Sequence, residues 1–302
     1  MTTTIAPLVE TRADARWNRP LLWLSGAAVV LAVLSGAGIL LDDRVLTGVP
    51  IWLKPFKFAV SFIFYGWTLA WILAVLPRRS RAAEWSGVVV VGMSVIELAI
   101  IVTQVLRGQT SHYNMTTPFN EVLWSAMGTS IMVLFFAQVV IGVVALRQRI
   151  PDRPAAVAIR FGLGVSLLGM AVAFLMTTQQ TADGLIGAHA VGVPDGGPGM
   201  PITGWSTTGG DLRIAHFVGL HALQALPLLA YALGRWTRLA DRVRARLVLI
   251  GGSAYAVVVL MLTWQAMRAQ PFTAPDGITL AAFTGLGLVT AAASALAIRG
   301  RS

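Results

Sequence analysis

The 302-residue sequence predicts an all-α fold, a polytopic membrane helical bundle of eight transmembrane helices arranged as a 4+4 parallel internal repeat. Three observations lead there. Hydrophobic residues make up 56% of the chain and charged residues only 12%, about half the charged share of a soluble protein. Eight apolar stretches can each cross a hydrocarbon core of ~30 Å, which takes about 20 helical residues. The 23 Lys and Arg residues divide unequally between alternating junctions, 17 on one side and six on the other.

The predicted spans are 21–41, 54–76, 85–107, 120–146, 157–180, 212–233, 246–268 and 278–298. The first follows Arg12, Arg16 and Arg19. Its apolar run is too long for a signal peptide and no small-residue cleavage site follows, so it reads as an uncleaved span. The basic junctions continue with Arg78, Arg79 and Arg81, then Arg147, Arg149, Arg153 and Arg160, then Arg235, Arg238, Arg242, Arg244 and Arg246, and finally Arg299 and Arg301. Short loops rich in Arg stay cytoplasmic, so both termini are expected inside a cell membrane. This topology accounts for the formal charge of +10 without a nucleic-acid partner. The chain contains no Cys, which excludes disulfides, thiolate ligands, Fe–S centres and c-type haem attachment.

The six cations at the opposite junctions are Arg44, Lys54, Lys57, Arg107, Arg213 and Arg268, on the same side as all four histidines. In the second span Lys54, Lys57, Ser61, Tyr65 and Thr68 fall on one narrow helical stripe. The third carries Glu97 and Gln104 on one face. The fourth contains Gln138. The fifth leads into the Gly-rich connection 181–211, whose Ile, Val, Met and Trp suit a folded cover rather than a tether. Asp211 reads as the N-cap of the sixth span, where Arg213, His216, His221 and Gln224 share an arc of roughly 140°. The seventh ends on Gln265 and Arg268. The eighth has only Thr and Ser as polar groups and is expected at the periphery.

An internal duplication is suggested by two matches in consistent register. Gln104-x-x-Arg107-x-Gln109 recurs as Gln265-x-x-Arg268-x-Gln270, and Leu53-Lys54-x-x-Lys57-Phe58 recurs as Leu212-Arg213-x-x-His216-Phe217. Residues 1–150 and 151–302 would then be two four-helix halves of the same orientation, with a ligand site between them.

Glu97 and His221 are candidate catalytic or proton-titrating groups, because neither can reach water from mid-span and each is costly against lipid. Lys54, Lys57, Gln104, Arg107, Arg213, His216, Gln224, Gln265 and Arg268 are candidate ligand-binding groups. His112 and His189, in loops, read as solvated surface histidines. The expected function is binding, or transport, of a small anionic or amphiphilic ligand at an outward-facing intramembrane site. The alternatives are a haem or metal redox protein and an intramembrane enzyme acting on an outer-leaflet lipid. No histidine at matching depth faces His221 in the sequence pattern, which counts against a bis-His haem.

Overall fold

The computed structural model describes residues 17–179 and 187–300. The expectations for Arg12, Arg16 and Arg301, and for the start of the Gly-rich connection including Gly184, lie outside the described residues. Eight helices are present among the described residues: α1 Arg19–Leu41, α2 Leu53–Val75, α3 Arg81–Leu106, α4 Pro118–Arg147, α5 Arg153–Thr177, α6 Leu212–Trp236, α7 Asp241–Met267 and α8 Gly277–Arg299. All eight are long and apolar enough to cross a membrane. The remaining regular structure is two short antiparallel pairs. β1 (Val45–Leu46) pairs with β2 (Val49–Pro50), and β3 (Ala190–Val191) pairs with β4 (Gly210–Asp211).

The helices start where the sequence supplies acceptors for their first N–H groups. The side chains of Asn18, Ser80, Thr117, Asp152, Asp211 and Asp276 accept from Leu21, Ala83, Asn120, Ala155, Arg213 and Thr279 respectively. Each such cap contributes about 1 kcal/mol. Prolines at 20, 118 and 154 lie in the first turns, where a missing N–H costs nothing.

Small residues set the closest helix contacts. A Cβ on Gly169 would sit 2.6 Å from the Gly219 backbone, so α5 and α6 meet almost backbone to backbone. On the α1–α2 seam, Gly66 leaves room for Ser25, whose hydroxyl donates to the Ile63 carbonyl at 3.0 Å. The main neighbours of α1 are α2 and α3, with α2 also on α3 and α3 on α4. Likewise α5 packs on α6 and α7, α6 on α7, and α7 on α8. The two groups touch through α4 on α5 and α2 on α6. Only Thr279 and Ala297 of α8 are buried, so that helix is peripheral.

The twice-occurring Gln-x-x-Arg-x-Gln pattern proves to be a helix ending. After α3, the Gln109 N–H donates to the Gln104 carbonyl and the Gly108 N–H to Val105, with Gly108 at φ 66°. After α7, the Gln270 N–H donates to Gln265 and the Ala269 N–H to Ala266, with Ala269 at φ 55°. This pair of reversed bonds around one left-handed residue is a Schellman ending. A side-chain brace is added in both: Gln104 Nε2 donates to the Thr110 carbonyl at 3.2 Å, and Gln265 Nε2 to the Pro271 carbonyl at 2.9 Å. Alanine in the left-handed region costs about 1 kcal/mol relative to glycine. Ala269→Gly is therefore expected to raise, and Gly108→Ala to lower, the stability by about that amount, read as opposite shifts of the thermal unfolding midpoint in detergent.

Candidate functional site

At the pole where α2, α4, α6 and α8 begin, the bundle encloses a cavity of about 640 Å³. Its sides come from α2 to α6, and its roof from the β1–β2 hairpin and the segment 187–211. That segment is a folded cover. Besides the β3–β4 pair it has a Gly199–Ser206 bridge, and Asp211 accepts from the Ser206 N–H at 2.7 Å. Two cavity cations tie it down: Lys57 Nζ donates to the Thr203 carbonyl and Arg213 Nη2 to the Gly204 carbonyl, both at 2.8 Å. At the hairpin tip Thr47 and Gly48 both have positive φ (49° and 78°), which folds the turn back towards Gly196 of the cover.

The centre is His112, on the connection between α3 and α4. Its Nδ1 lies 3.1 Å from both Lys54 Nζ and Ser111 Oγ, and its Nε2 lies 3.8 Å from Glu97 Oε1. An ammonium can only donate, so Nδ1 is the acceptor and the ring proton sits on Nε2, facing the carboxylate. The ring is walled by Phe58, Tyr113 and Trp124. Burial, reinforced by the Lys54 charge, pushes the His112 pKa well below its ordinary 6.5. Glu97 is 1% exposed, and its second oxygen, Oε2, has no hydrogen-bond partner.

Two further histidines face the same space. His189 Nδ1 lies 2.6 Å from Asp195 Oδ2, and the Asp195 carboxylate also accepts the N–H groups of His189 and Ala190. Burial alone would raise the Asp195 pKa. The hydrogen bonds outweigh it and hold the carboxyl well below its usual range. His216 Nδ1 lies 2.8 Å from the Gly169 carbonyl, which can only accept, so this nitrogen is the donor and Nε2 is left free. That bond exists because Gly169 brings the α5 backbone against α6.

Of the residues singled out in the sequence, Lys54, Lys57, Glu97, Arg213 and His216 line the cavity. His221 and Gln224 do not. His221 Nδ1 is 3.4 Å from Gln224 Oε1, and Gln224 Nε2 reaches Thr68 Oγ1 at 3.3 Å, on a layer below. Glu97 and His221 are therefore not brought together; Glu97 faces His112 instead. Nor do Gln104, Arg107, Gln265 and Arg268 line the cavity, because they build the two helix endings. Arg107 donates to Gln104 and Asn120 and stacks on Phe119 at 4.6 Å. Arg268 pairs with Asp276, donates to Thr279 and stacks on Trp264 at 4.5 Å. His112 and His189, expected at the solvated surface, are cavity groups. The crowding of hydrogen-bonding side chains from Gln109 to Asn114 was the available signal for the first; nothing local marks the second.

Among the described residues no group of three or more His, Asp or Glu is set to hold a metal ion. The Lys54 ammonium beside His112 also repels a cation. The chain matches no protein-family model, no curated protein sequence and no solved structure.

The burial of neutral His112 has a consequence for pH. In the unfolded chain it titrates near 6.5, whereas in the folded protein it resists the proton until much lower pH. Its contribution is complete above pH 6.5 and is lost as pH falls towards the folded value, with a slope of up to about 1.4 kcal/mol per pH unit. The unfolding midpoint should drop between pH 7.5 and 5.5. His112→Gln should flatten that drop; an unchanged slope would show that the imidazole is not held neutral.

Proposed function

We propose that this chain is a cell-membrane protein that binds a small anionic or amphiphilic molecule in the cavity beneath the 187–211 cover. The observation that carries the reading is the state of the cavity's donors and acceptors. Each ammonium has three donors. Among the described residues Lys54 spends one on His112 and Lys57 one on Thr203. Arg213 is already neutralised by Asp211 at 2.5 Å, whereas neither lysine is in a salt bridge among the described residues. Oxyanion oxygens suit them. Glu97 Oε2 remains as an acceptor for a hydroxyl on the same head group. The walls of Phe58, Trp124, Met127, Ile131, Phe174 and Met176 suit an apolar body.

Binding rather than through-passage is favoured by the layer beneath. Gln138 is fully buried there, accepting from Tyr65 at 2.7 Å and donating to Ser166 at 3.1 Å. None of Tyr65, Gln138 and Ser166 lines the cavity.

The test uses hexyl phosphate titrated calorimetrically into the protein in nanodiscs. A charge-assisted bond is worth about 1.5–3 kcal/mol, so Lys54→Gln and Lys57→Gln should each weaken binding by roughly 10- to 100-fold. Raising the salt should weaken the wild type more than either variant. Absence of binding, or affinity indifferent to both substitutions, would defeat the reading.

The same proposal includes an orientation and a repeat. The 17-to-6 division of Lys and Arg supports an orientation with the cavity pole outside and both termini inside. Two four-helix halves, 1–150 and 151–302, are supported by the matching helix endings at Arg107 and Arg268 and by the parallel lists of neighbours in α1–α4 and α5–α8. The chain has no native Cys, so single cysteines report without background. Exposed Met115 and Ala274, replaced by Cys, should react with an impermeant thiol reagent in intact cells. Exposed Pro151 and Ala240, so replaced, should not. The opposite pattern would invert the topology.

A further inference from the structure

The cavity wall is not continuous on its α4–α5 side. Ser125, Thr129, Val133 and Phe136 form the exposed face of α4, and their spacing identifies the face that meets lipid. Gly128 and Met132 lie at the margin of that face and are themselves exposed, yet both line the cavity. On α5, Thr177 is also exposed and also lines the cavity, next to Ala173, Phe174 and Met176. Exposed residues that also line the cavity mark the side on which it runs out towards the lipid face. A Cβ built on Gly128 meets nothing within 4 Å, so open space continues there. Towards the arginine-rich pole the gap ends at Phe135 and Phe174, packed edge to face with ring centres 5.8 Å apart. The opening is therefore a slot on one side of the membrane, not a cleft through it.

We infer that this slot is the exit of a hydrocarbon tail, and that the ligand is a membrane-resident amphiphile with an oxyanion head, drawn from the leaflet on the cavity's side. The inference rests on the proposed head-group site at Lys54 and Lys57 and names the class of molecule that occupies it. The lysines lie on α2, whereas the slot lies between α4 and α5. The groups between them and lipid, Met127, Ile131, Met132 and Phe174, are apolar and include two flexible thioethers, a surface that adapts to an alkyl chain. A free aqueous anion would have no use for that path. Each methylene buried along it adds about 0.8 kcal/mol, so a tail moves the affinity by orders of magnitude.

Gly128 makes the idea testable, because a large side chain there fills the slot without striking a neighbour at its Cβ. The probes are ethyl phosphate and hexadecyl phosphate, bound to the full chain in nanodiscs, with Gly128→Trp compared against Gly128→Ala. In the wild type hexadecyl phosphate is expected to bind at least 100-fold more tightly, counted against its concentration in the bilayer. Gly128→Trp should weaken it at least tenfold and leave ethyl phosphate within twofold. Gly128→Ala should leave both near wild type. Retained ethyl phosphate binding serves as the folding control. Equal wild-type affinity for the two phosphates would mean a free anion rather than a lipid and would overturn the inference while leaving the head-group site standing. So would hexadecyl phosphate binding that ignores Gly128→Trp, or equal loss of both probes in that variant. Failure of both probes to bind the wild type would instead remove the proposed function itself.

Discussion

Glu97 is a carboxylate held inside a bundle whose surroundings are hydrocarbon, about nine residues or ~14 Å from the end of its helix. An ionisable group at such depth costs about 3 kcal/mol or more if it faces lipid. It must be met from inside the protein: the Lys54 charge on α2 attracts it, and a side chain from outside the helices faces it directly. The partner is His112, from a connection that tucks back into the bundle with Ser111 and Asn114 buried at 3% and 4% exposure. Non-helical backbone at membrane depth is tolerated only when protein covers it. Here the cover segment 187–211 and the β1–β2 hairpin provide that shelter. The cover is in turn anchored by hydrogen bonds from Lys57 and Arg213, and Lys54 of the same wall donates to His112.

The membrane class, the number of helices and most of their limits were legible because they depend on length and hydropathy alone. The limits differ at the arginine pole. α3 begins at Arg81 rather than 85, and α5 at Arg153 rather than 157. Hydropathy registers only the apolar part of a span, whereas Ser80 and Asp152 start the helices a turn earlier by accepting N–H groups. Depth along a helix was also legible, as for Glu97. The direction a side chain takes across the bundle was not. His216 and His221 share a broad arc on α6, yet one turns to the Gly169 carbonyl and cavity and the other to Gln224 beneath it. Five residues of helix place them at different depths, and the close α5 crossing at Gly169 gives only His216 a backbone carbonyl.

The repeated Gln-x-x-Arg-x-Gln pattern is instructive for a different reason. Polar residues at helix ends near a membrane surface resemble ligand groups, and their recurrence suggested a duplication. Their recurrence has a structural cause in hand. In each ending the Gln side chain donates to a carbonyl just past the turn, Thr110 or Pro271, while Arg107 and Arg268 donate to side chains at the start of the next helix, Asn120 and Thr279. Ala269 holds the strained conformation that Gly108 takes without cost, so the two corners share geometry more closely than sequence.

The three cavity histidines differ in what fixes them, and this bears on the chemistry open to the site. Lys54 donates to His112, Asp195 holds His189, and a backbone carbonyl orients His216. In His112 and His216 the nitrogen left over is Nε2, protonated in the first and able to accept in the second. The site therefore presents donors and acceptors already oriented before a ligand arrives. Pre-orientation of this kind lowers the entropic cost of binding. It is also spatially graded: charged donors lie on the α2 side and thioether and aromatic surface on the α4–α5 side. A molecule with one polar end and one apolar end satisfies both sides at once, whereas a uniformly polar solute would leave the second wall without a partner.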